Sequence, residues 1–197
     1  MSQLRHLIRG LALQLQWLRH AQEGAAAVEF ALIVPFLITL YMGTIEISDL
    51  IAVDRRVNVV AGTIGDLVAR SDGSVSSTEL SSYFDAAQGI ILPYSRTGLK
   101  QVVTLVEVSS TGATTVKWSV GNNGGVAKTV GQPYPGFTTT TPIVVLAKSN
   151  YIVVGETSYS YRPLLGWVIK NAINLHRESY YLPRFGSCIK YGTTGCT

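Results

Sequence analysis

Residues 24–46 read GAAAVEFALIVPFLITLYMGTIE, and this stretch decides the class of fold. Between Ala25 and Ile45 the only charged residue is Glu29. At about 1.5 Å of rise per residue, a helix of this length spans about 31 Å, which is one hydrocarbon thickness of a bilayer. A buried core helix is the alternative, but a soluble protein rarely needs a helix that is apolar on every face. We therefore predict a membrane-spanning helix over residues 25–46.

The segment before this stretch has the pattern of a basic amphipathic helix. Arg5, Arg9 and Arg19 lie on other faces than the apolar residues, which recur at spacings of three and four: Leu4, Leu7, Ile8, Leu11, Leu15 and Leu18. Such a helix lies on a membrane surface. We expect this leader, residues 1–24, to stay in the cytoplasm, although arginines just beyond the apolar helix make the positive-inside asymmetry slight.

The order of small and apolar residues is the reverse of that in a secretory signal. In such a signal the small residues of the cleavage site follow the apolar run, whereas here residues 24–27 precede it. A peptidase that cuts at the small residues would remove only the leader. The apolar helix would then become the N-terminus of the mature protein, as it does in prepilins.

The residues from Gly24 to Leu32 resemble the processing region of the TadE-like minor pilins, or pseudopilins, of the tight-adherence (Flp) pilus system. The resemblance implies that a prepilin peptidase cuts after Gly24 and makes Ala25 the first mature residue. It also implies that Glu29 and Phe30, the fifth and sixth mature residues, serve in recognition by the peptidase and in assembly. The implied partners are the peptidase, other pilin and pseudopilin subunits, inner-membrane lipid and the pilus assembly machinery.

Shorter similarities extend this resemblance beyond the processing region. Residues 43–46, Gly-Thr-Ile-Glu, resemble the end of the family's membrane helix. Residues 158–164 and 182–184 resemble its C-terminal strand motifs. Residues 71–150 have no resemblance that we can name.

Glu29 has two interpretations that do not depend on the resemblance. A carboxylate in a membrane helix is costly, so it should have a partner or lie at the membrane edge. It could pair with the new ammonium of Ala25, about 6 Å away along the axis, or with that of a neighbouring subunit. Alternatively, it merely complements the helix dipole. The residue alone does not decide between them; the resemblance, to which Gly24 and Phe30 belong, favours pairing.

Glu46 lies about 25 Å along the helix axis from Glu29, so the two acids bracket the hydrocarbon layer. We interpret Glu46 as a membrane-edge acid rather than as a proton or ion site. Pro35 predicts a kink, because it removes one backbone donor. Apolar residues on one face predict that the helix continues outside the membrane over residues 47–70: Val53, Val57, Val60, Ile64, Leu67 and Val68.

The remaining residues, 71–197, read as a head with helices and strands. We predict a second helix from Thr78 to about Ile91 and a short helix at 164–172. The predicted strands are 100–108, 114–120, 143–147, 151–161 and 177–182, with a hairpin turn at 122–125. The predicted fold class is α+β, in which an antiparallel sheet packs on the extension of the N-terminal helix, as in pilins.

Composition and motifs argue against several functions. The net charge is +4, but the ten Lys and Arg residues after residue 85 are scattered singly, so we do not expect nucleic-acid binding. Outside the leader the only histidine is His176, and Glu107, Glu156 and Glu178 share no sequence signature. No catalytic or phosphate-binding motif occurs, and two cysteines are too few for a structural zinc site. We expect no catalytic residue, no metal and no cofactor.

Cys188 and Cys196 are eight positions apart, and the segment between them contains Gly192 and Gly195. The predicted topology places this tail outside the cytoplasm, where a disulfide persists. We therefore predict a bond between them; two free thiols or pairing with another chain are the alternatives.

These features together predict a minor pilin or pseudopilin in the bacterial inner membrane. It would cross the membrane once, with a cytoplasmic N-terminus and a periplasmic head, and would take part in assembly of a tight-adherence pilus. The alternative is an uncleaved bitopic membrane protein with an outward-facing binding or sensing domain.

Overall fold

A computed structural model describes residues 23–185 and 188–196, so the predicted amphipathic leader helix lies outside the described residues. Helix α1 runs from Glu23 to Ala69, 47 residues, and ends where the apolar periodicity predicted. It continues through Pro35, whose carbonyl accepts a hydrogen bond from Thr39 Oγ1 at 2.8 Å. The kink expected at Pro35 stays a prediction.

Within the described residues, the head contains two further α-helices, two 3-10 turns and six strands. The α-helices and strands follow in the order β1 Ser74–Val75, α2 Ser77–Gln88, β2 Leu99–Val108, β3 Thr114–Asn122, α3 Pro142–Leu146, β4 Asn150–Tyr161, β5 Ile173–Tyr181 and β6 Lys190–Tyr191. Strands β2 to β5 form one antiparallel sheet in the order β3-β2-β4-β5, and β1 pairs with β6 in parallel. The α+β class, with an antiparallel sheet on the long helix, is confirmed.

Helix α2 begins at a capping box. The Ser76 hydroxyl accepts from the Glu79 amide at 3.2 Å, and the Glu79 carboxylate accepts from the Ser76 amide at 2.8 Å. The helix ends at Gln88, and a 3-10 turn at Gly89–Ile91 completes the predicted segment. Its apolar side packs against α1 in the main core.

The main core lies between α1 and the sheet. It consists of apolar side chains from both: chiefly Val53, Val57, Val60, Ile64, Val68, Leu99, Val103, Leu105, Trp118 and Val153. The backbones of helix and sheet are in direct contact at Gly155, where a Cβ would lie 2.3 Å from the Ala61 carbonyl oxygen and 2.9 Å from the Gly65 nitrogen. Only glycine permits this backbone contact, so Gly155 sets the distance between α1 and β4.

A second, smaller core covers the opposite face of the sheet, where Tyr134 and the short helix α3 pack on β2 and β4. The predicted strand at 143–147 was wrong, because this segment is helix α3. Pro142 stands at the first position of the helix, where its fixed φ favours helix and its missing N–H costs nothing.

The predicted short helix at 164–172 was also wrong. These residues form an irregular loop, with Gly166 at φ +62°. At 122–125 the predicted turn forms, since the Gly125 amide donates to the Asn122 carbonyl at 2.9 Å. Among the described residues, however, the segment directly after the turn is not a strand, so the predicted hairpin does not form. A Cβ on Gly121 would lie 2.0 Å from the Gly125 carbonyl oxygen, so the chain folds tightly back over the end of β3.

Candidate functional site

The first half of α1 is apolar and uncovered. From Gly24 to Met42 every residue is exposed except Val34 and Met42, which are half-buried. The exposed apolar side chains include Val28, Phe30, Leu32, Ile33, Phe36, Leu37, Ile38, Leu40 and Tyr41. The most apolar 18-residue window has a mean hydropathy of 2.0, and none of it is buried in the described chain. The core-helix alternative therefore does not fit, whereas the length and composition are those of a membrane-spanning helix.

The residues that the sequence singles out for processing lie at the exposed start of α1. A Cβ on Gly24 would meet nothing within 4 Å. Phe30 is 66% exposed, and among residues 23–185 and 188–196 no group forms a hydrogen bond or ion pair with Glu29. Both side chains are free to contact another molecule. The structure does not test their roles, nor cleavage between Gly24 and Ala25, which stay predictions.

Glu46 is only 2% exposed, and its carboxylate lies inside the irregular loop between β4 and β5. It accepts three backbone N–H groups: from Trp167 at 2.7 Å, Val168 at 3.1 Å and Ile169 at 2.8 Å. Successive amides that converge on one carboxylate form an anion-binding nest. The sequence indicated a membrane-edge acid, and the structure adds that this acid holds a loop of the head.

Asp49, one turn further along α1, binds two tyrosines of the head. Its carboxylate accepts from the Tyr94 hydroxyl and, at 2.5 Å, from the Tyr161 hydroxyl. The hydrogen bond to Asp49, assisted by burial, raises the pKa of Tyr94 to about 12. The pKa of Tyr161 is also raised, chiefly by burial and to a smaller extent by the hydrogen bond to Asp49. Both hydroxyls therefore stay protonated donors at neutral pH.

Two more acids of α1 form ion pairs with arginines of the C-terminal half. Asp54 lies 2.6 Å from an Arg177 nitrogen on β5, in ion-pair rather than hydrogen-bond geometry. Asp66 accepts a hydrogen bond at 2.6 Å from Arg184, which lies just after β5. Exposed pairs of this kind contribute little stability singly, but each fixes one contact between helix and head.

We call Glu46, Asp49, Asp54 and Asp66 the anchor acids. They bind four separate parts of the head: the loop after β4, the end of β4, β5 and the segment after β5. Sequence reasoning missed this role for all four. A signal was available, because Tyr161 and Arg184 belong to the two C-terminal segments that the sequence analysis singled out, residues 158–164 and 182–184.

The predicted disulfide is present between Cys188 and Cys196, and neither cysteine is free. It closes a loop that docks on β3, because the buried Trp118 indole donates to the Ile189 carbonyl at 2.7 Å. The adjoining strand β6 pairs with β1. The disulfide therefore closes a loop within the C-terminal tail, and the pairing of β6 with β1 ties this loop to the connection between α1 and α2.

A cluster that the sequence did not predict lies on the sheet face away from α1. The pairing of β4 with β5 places Glu156 opposite Glu178, and His176 Nε2 lies 3.0 Å from Glu178 Oε1. Their potential ligand atoms lie within 4.8 Å of one another, which is compatible with a divalent cation. Protein groups already engage the carboxylates, since Lys128 lies 2.8 Å and Tyr134 2.9 Å from Glu156 oxygens. Sequence reasoning found no shared signature because the pairing depends on register.

The described chain is thus an α+β protein whose long apolar helix is exposed over a membrane-spanning length and carries an anchored head. A family model described as "TadE-like protein" matches residues 24–63, from the proposed processing glycine into the buried part of α1. The resemblance inferred from the sequence is confirmed over this segment, which is about a fifth of the chain. Comparisons with curated proteins and with solved structures gave no match.

Proposed function

We propose that the chain is a minor pilin or pseudopilin of a tight-adherence pilus system. It is inserted in the bacterial inner membrane, trimmed by a prepilin peptidase and then joined to other subunits. The observation that supports this most directly is the coincidence of two boundaries. The family match and the small-residue cluster both begin at Gly24, and the apolar residues that follow them on α1 are exposed.

Processing after Gly24 fits the exposure of this end of α1. A peptidase needs access to the scissile bond, and the head covers neither Gly24 nor Ala25. Cleavage creates an ammonium on Ala25 about 6 Å of axial rise from Glu29. The carboxylate then has a partner within the same chain or in a staggered neighbour, which offsets its cost in an apolar layer.

Assembly uses the same apolar surface that lipid covers before extraction. In a bilayer, helices associate through close packing and a few polar contacts, and the first half of α1 offers both. The anchor acids keep the head at a fixed position on the second half of α1. A subunit could therefore enter a filament as one body, with its head position set by the packing of its helix.

The proposed topology has support from the two ends of the chain. Arginines of the leader favour a cytoplasmic N-terminus. The disulfide between Cys188 and Cys196 is a bond that an oxidising compartment preserves, which favours a periplasmic head. We also propose a structural rather than catalytic role, because the distinctive sequence features are a membrane-length apolar helix and a processing region that resembles those of pilins.

The alternative is an uncleaved bitopic protein whose head binds a ligand. It draws on one observation, an open pocket of about 210 Å³ beside the His176 cluster, lined by Lys100, Lys128, Glu156 and Ser158 among others. The two proposals differ in whether residues 1–24 are removed and in whether α1 contacts other subunits.

Photocrosslinking in cells with an active pilus system distinguishes them. A photoreactive residue in place of Phe36 or Leu40, both exposed, should crosslink to other pilin or pseudopilin subunits. The same residue in place of Val57, which is fully buried against the head, is the matched control and should give no intermolecular product. A helix that crosslinks to lipid alone at every exposed position would contradict assembly and favour the bitopic alternative.

A further inference from the structure

The loop between β4 and β5 exposes large apolar side chains. Leu164 is 94% exposed and Trp167 60%, while Leu165 and Val168 are each about half exposed. We call residues 164–168 the apolar loop. Adjacent exposed apolar side chains of this size mark an interaction surface.

The apolar loop is held beside the membrane end of α1. Glu46 binds its backbone, and the Val168 side chain packs on α1 at Gly43, where a Cβ would lie 3.4 Å from Val168 Cγ2. Gly43 is about 4.5 Å nearer the start of the helix than Glu46. The loop therefore reaches past Glu46 to the depth of the last turn of the proposed membrane span.

An irregular loop can lie at this depth only if its backbone polar groups are satisfied. The carboxylate of Glu46 meets this requirement for three consecutive amides, those of residues 167–169. The binding also keeps Glu46 itself out of contact with hydrocarbon, since the residue is only 2% exposed.

The charges that flank the apolar loop suit a lipid surface. Arg162 and Lys170 are both exposed, and residues 162–172 contain no acid. Such side chains extend towards anionic headgroups while their neighbours lie deeper. Between the loop and α1 runs an open groove lined by Phe36, Leu40 and Val168, which continues the exposed apolar surface of the helix.

We infer that the apolar loop inserts into the interface of the same bilayer that α1 crosses, on the side of the head. Trp167 then lies at headgroup level, as tryptophan prefers. The head is then fixed to the membrane at two points, α1 and the loop. This inference rests on the proposed membrane insertion of α1, and the partner is lipid rather than protein.

Fluorescence quenching of the full chain in vesicles tests the inference. The chain carries Trp17→Phe, so that emission comes from Trp118 and Trp167, and a second chain carries Trp167→Phe in addition. The difference between their spectra is the emission of Trp167. The vesicles contain phosphatidylcholine and phosphatidylglycerol, with or without bromine near the upper part of the acyl chains, and iodide is the quencher in water.

The inference predicts loss of most Trp167 emission in brominated vesicles and little quenching by iodide. The buried Trp118 is the internal control and should respond to neither. Quenching by iodide alone, or protection from both quenchers by a protein cover, would overturn the inference. Extraction of the chain by alkaline carbonate would overturn membrane insertion as well, so the two failures are distinguishable.

Discussion

Replacing Gly155 by alanine should strongly destabilise the contact between α1 and the sheet. The new Cβ would lie 2.3 Å from the Ala61 carbonyl oxygen, about 1 Å closer than a normal contact allows. Because both neighbours are backbone atoms, no side chain can rotate away, and helix and strand must separate. Overpacking typically lowers the free energy of unfolding by about 1–3 kcal/mol. A clash with backbone atoms should cost an amount at or above the upper end of this range, because the backbone cannot rotate away. A loss of about 3 kcal/mol in the free energy of unfolding lowers the melting temperature by about 6–12 °C for a chain of this size.

Thermal unfolding of the detergent-solubilised chain, followed by tryptophan emission, measures this effect against two other glycine variants. In Gly65→Ala the new Cβ meets the Tyr181 ring at 2.7 Å, and the ring can move, so the loss should be smaller. Gly89→Ala is the matched control, because Gly89 has φ −61° and open space around it. There we expect no loss, or a gain of about 0.4–1 kcal/mol. A Gly155→Ala chain that melts with the wild type would refute the argument that this glycine sets the distance between helix and sheet.

Three further predictions concern Tyr94, the disulfide and Glu29. Folding raises the pKa of Tyr94 from 10.0 to about 12, so its hydrogen bond to Asp49 stabilises the folded head fully below pH 10, and this contribution is lost as the pH rises to about 12. In a pH series of unfolding measurements, Tyr94→Phe should therefore lose less stability than the wild type between pH 10 and pH 12. The disulfide between Cys188 and Cys196 should leave no reactive thiol in unreduced protein, and its reduction should cost about 2–3 kcal/mol in denaturant unfolding; two labelled thiols would contradict it. Glu29→Gln should still insert and be cleaved but should co-purify less with other subunits, whereas Glu23→Gln, in the part that processing removes, should behave as wild type; unchanged assembly of Glu29→Gln would leave only the helix-dipole role.

Sequence periodicity predicted the elements whose environment is regular. The apolar face from Val53 to Val68 correctly indicated that α1 continues to about Ala69, past the predicted membrane span, because one face of a helix repeats every three or four residues. The two-residue alternation of apolar and polar side chains correctly indicated most of β2, β3 and β4. The head could therefore be recognised as α+β without any long-range information.

The failures occur where long-range or single-residue effects decide the conformation. At 143–147 a run of β-branched residues favoured a strand, but Pro142 and the preceding turn start a helix. At 164–172 the amides that a helix would use internally bind Glu46 instead, more than 100 residues earlier in the sequence. The Glu156–Glu178 pair and the contact of Asp49 with Tyr161 depend on register and docking, which local patterns do not contain.

The central claim is that α1 becomes the N-terminus of the mature protein, and intact mass spectrometry of the membrane-extracted chain tests it most directly. In cells with the cognate prepilin peptidase, the account predicts a single species that lacks residues 1–24 and begins at Ala25. Without the peptidase, or with Gly24→Leu, only the full-length chain should appear, while Gly10→Leu in the same leader should be processed normally. A native chain that keeps residues 1–24 in the presence of active peptidase would contradict the account.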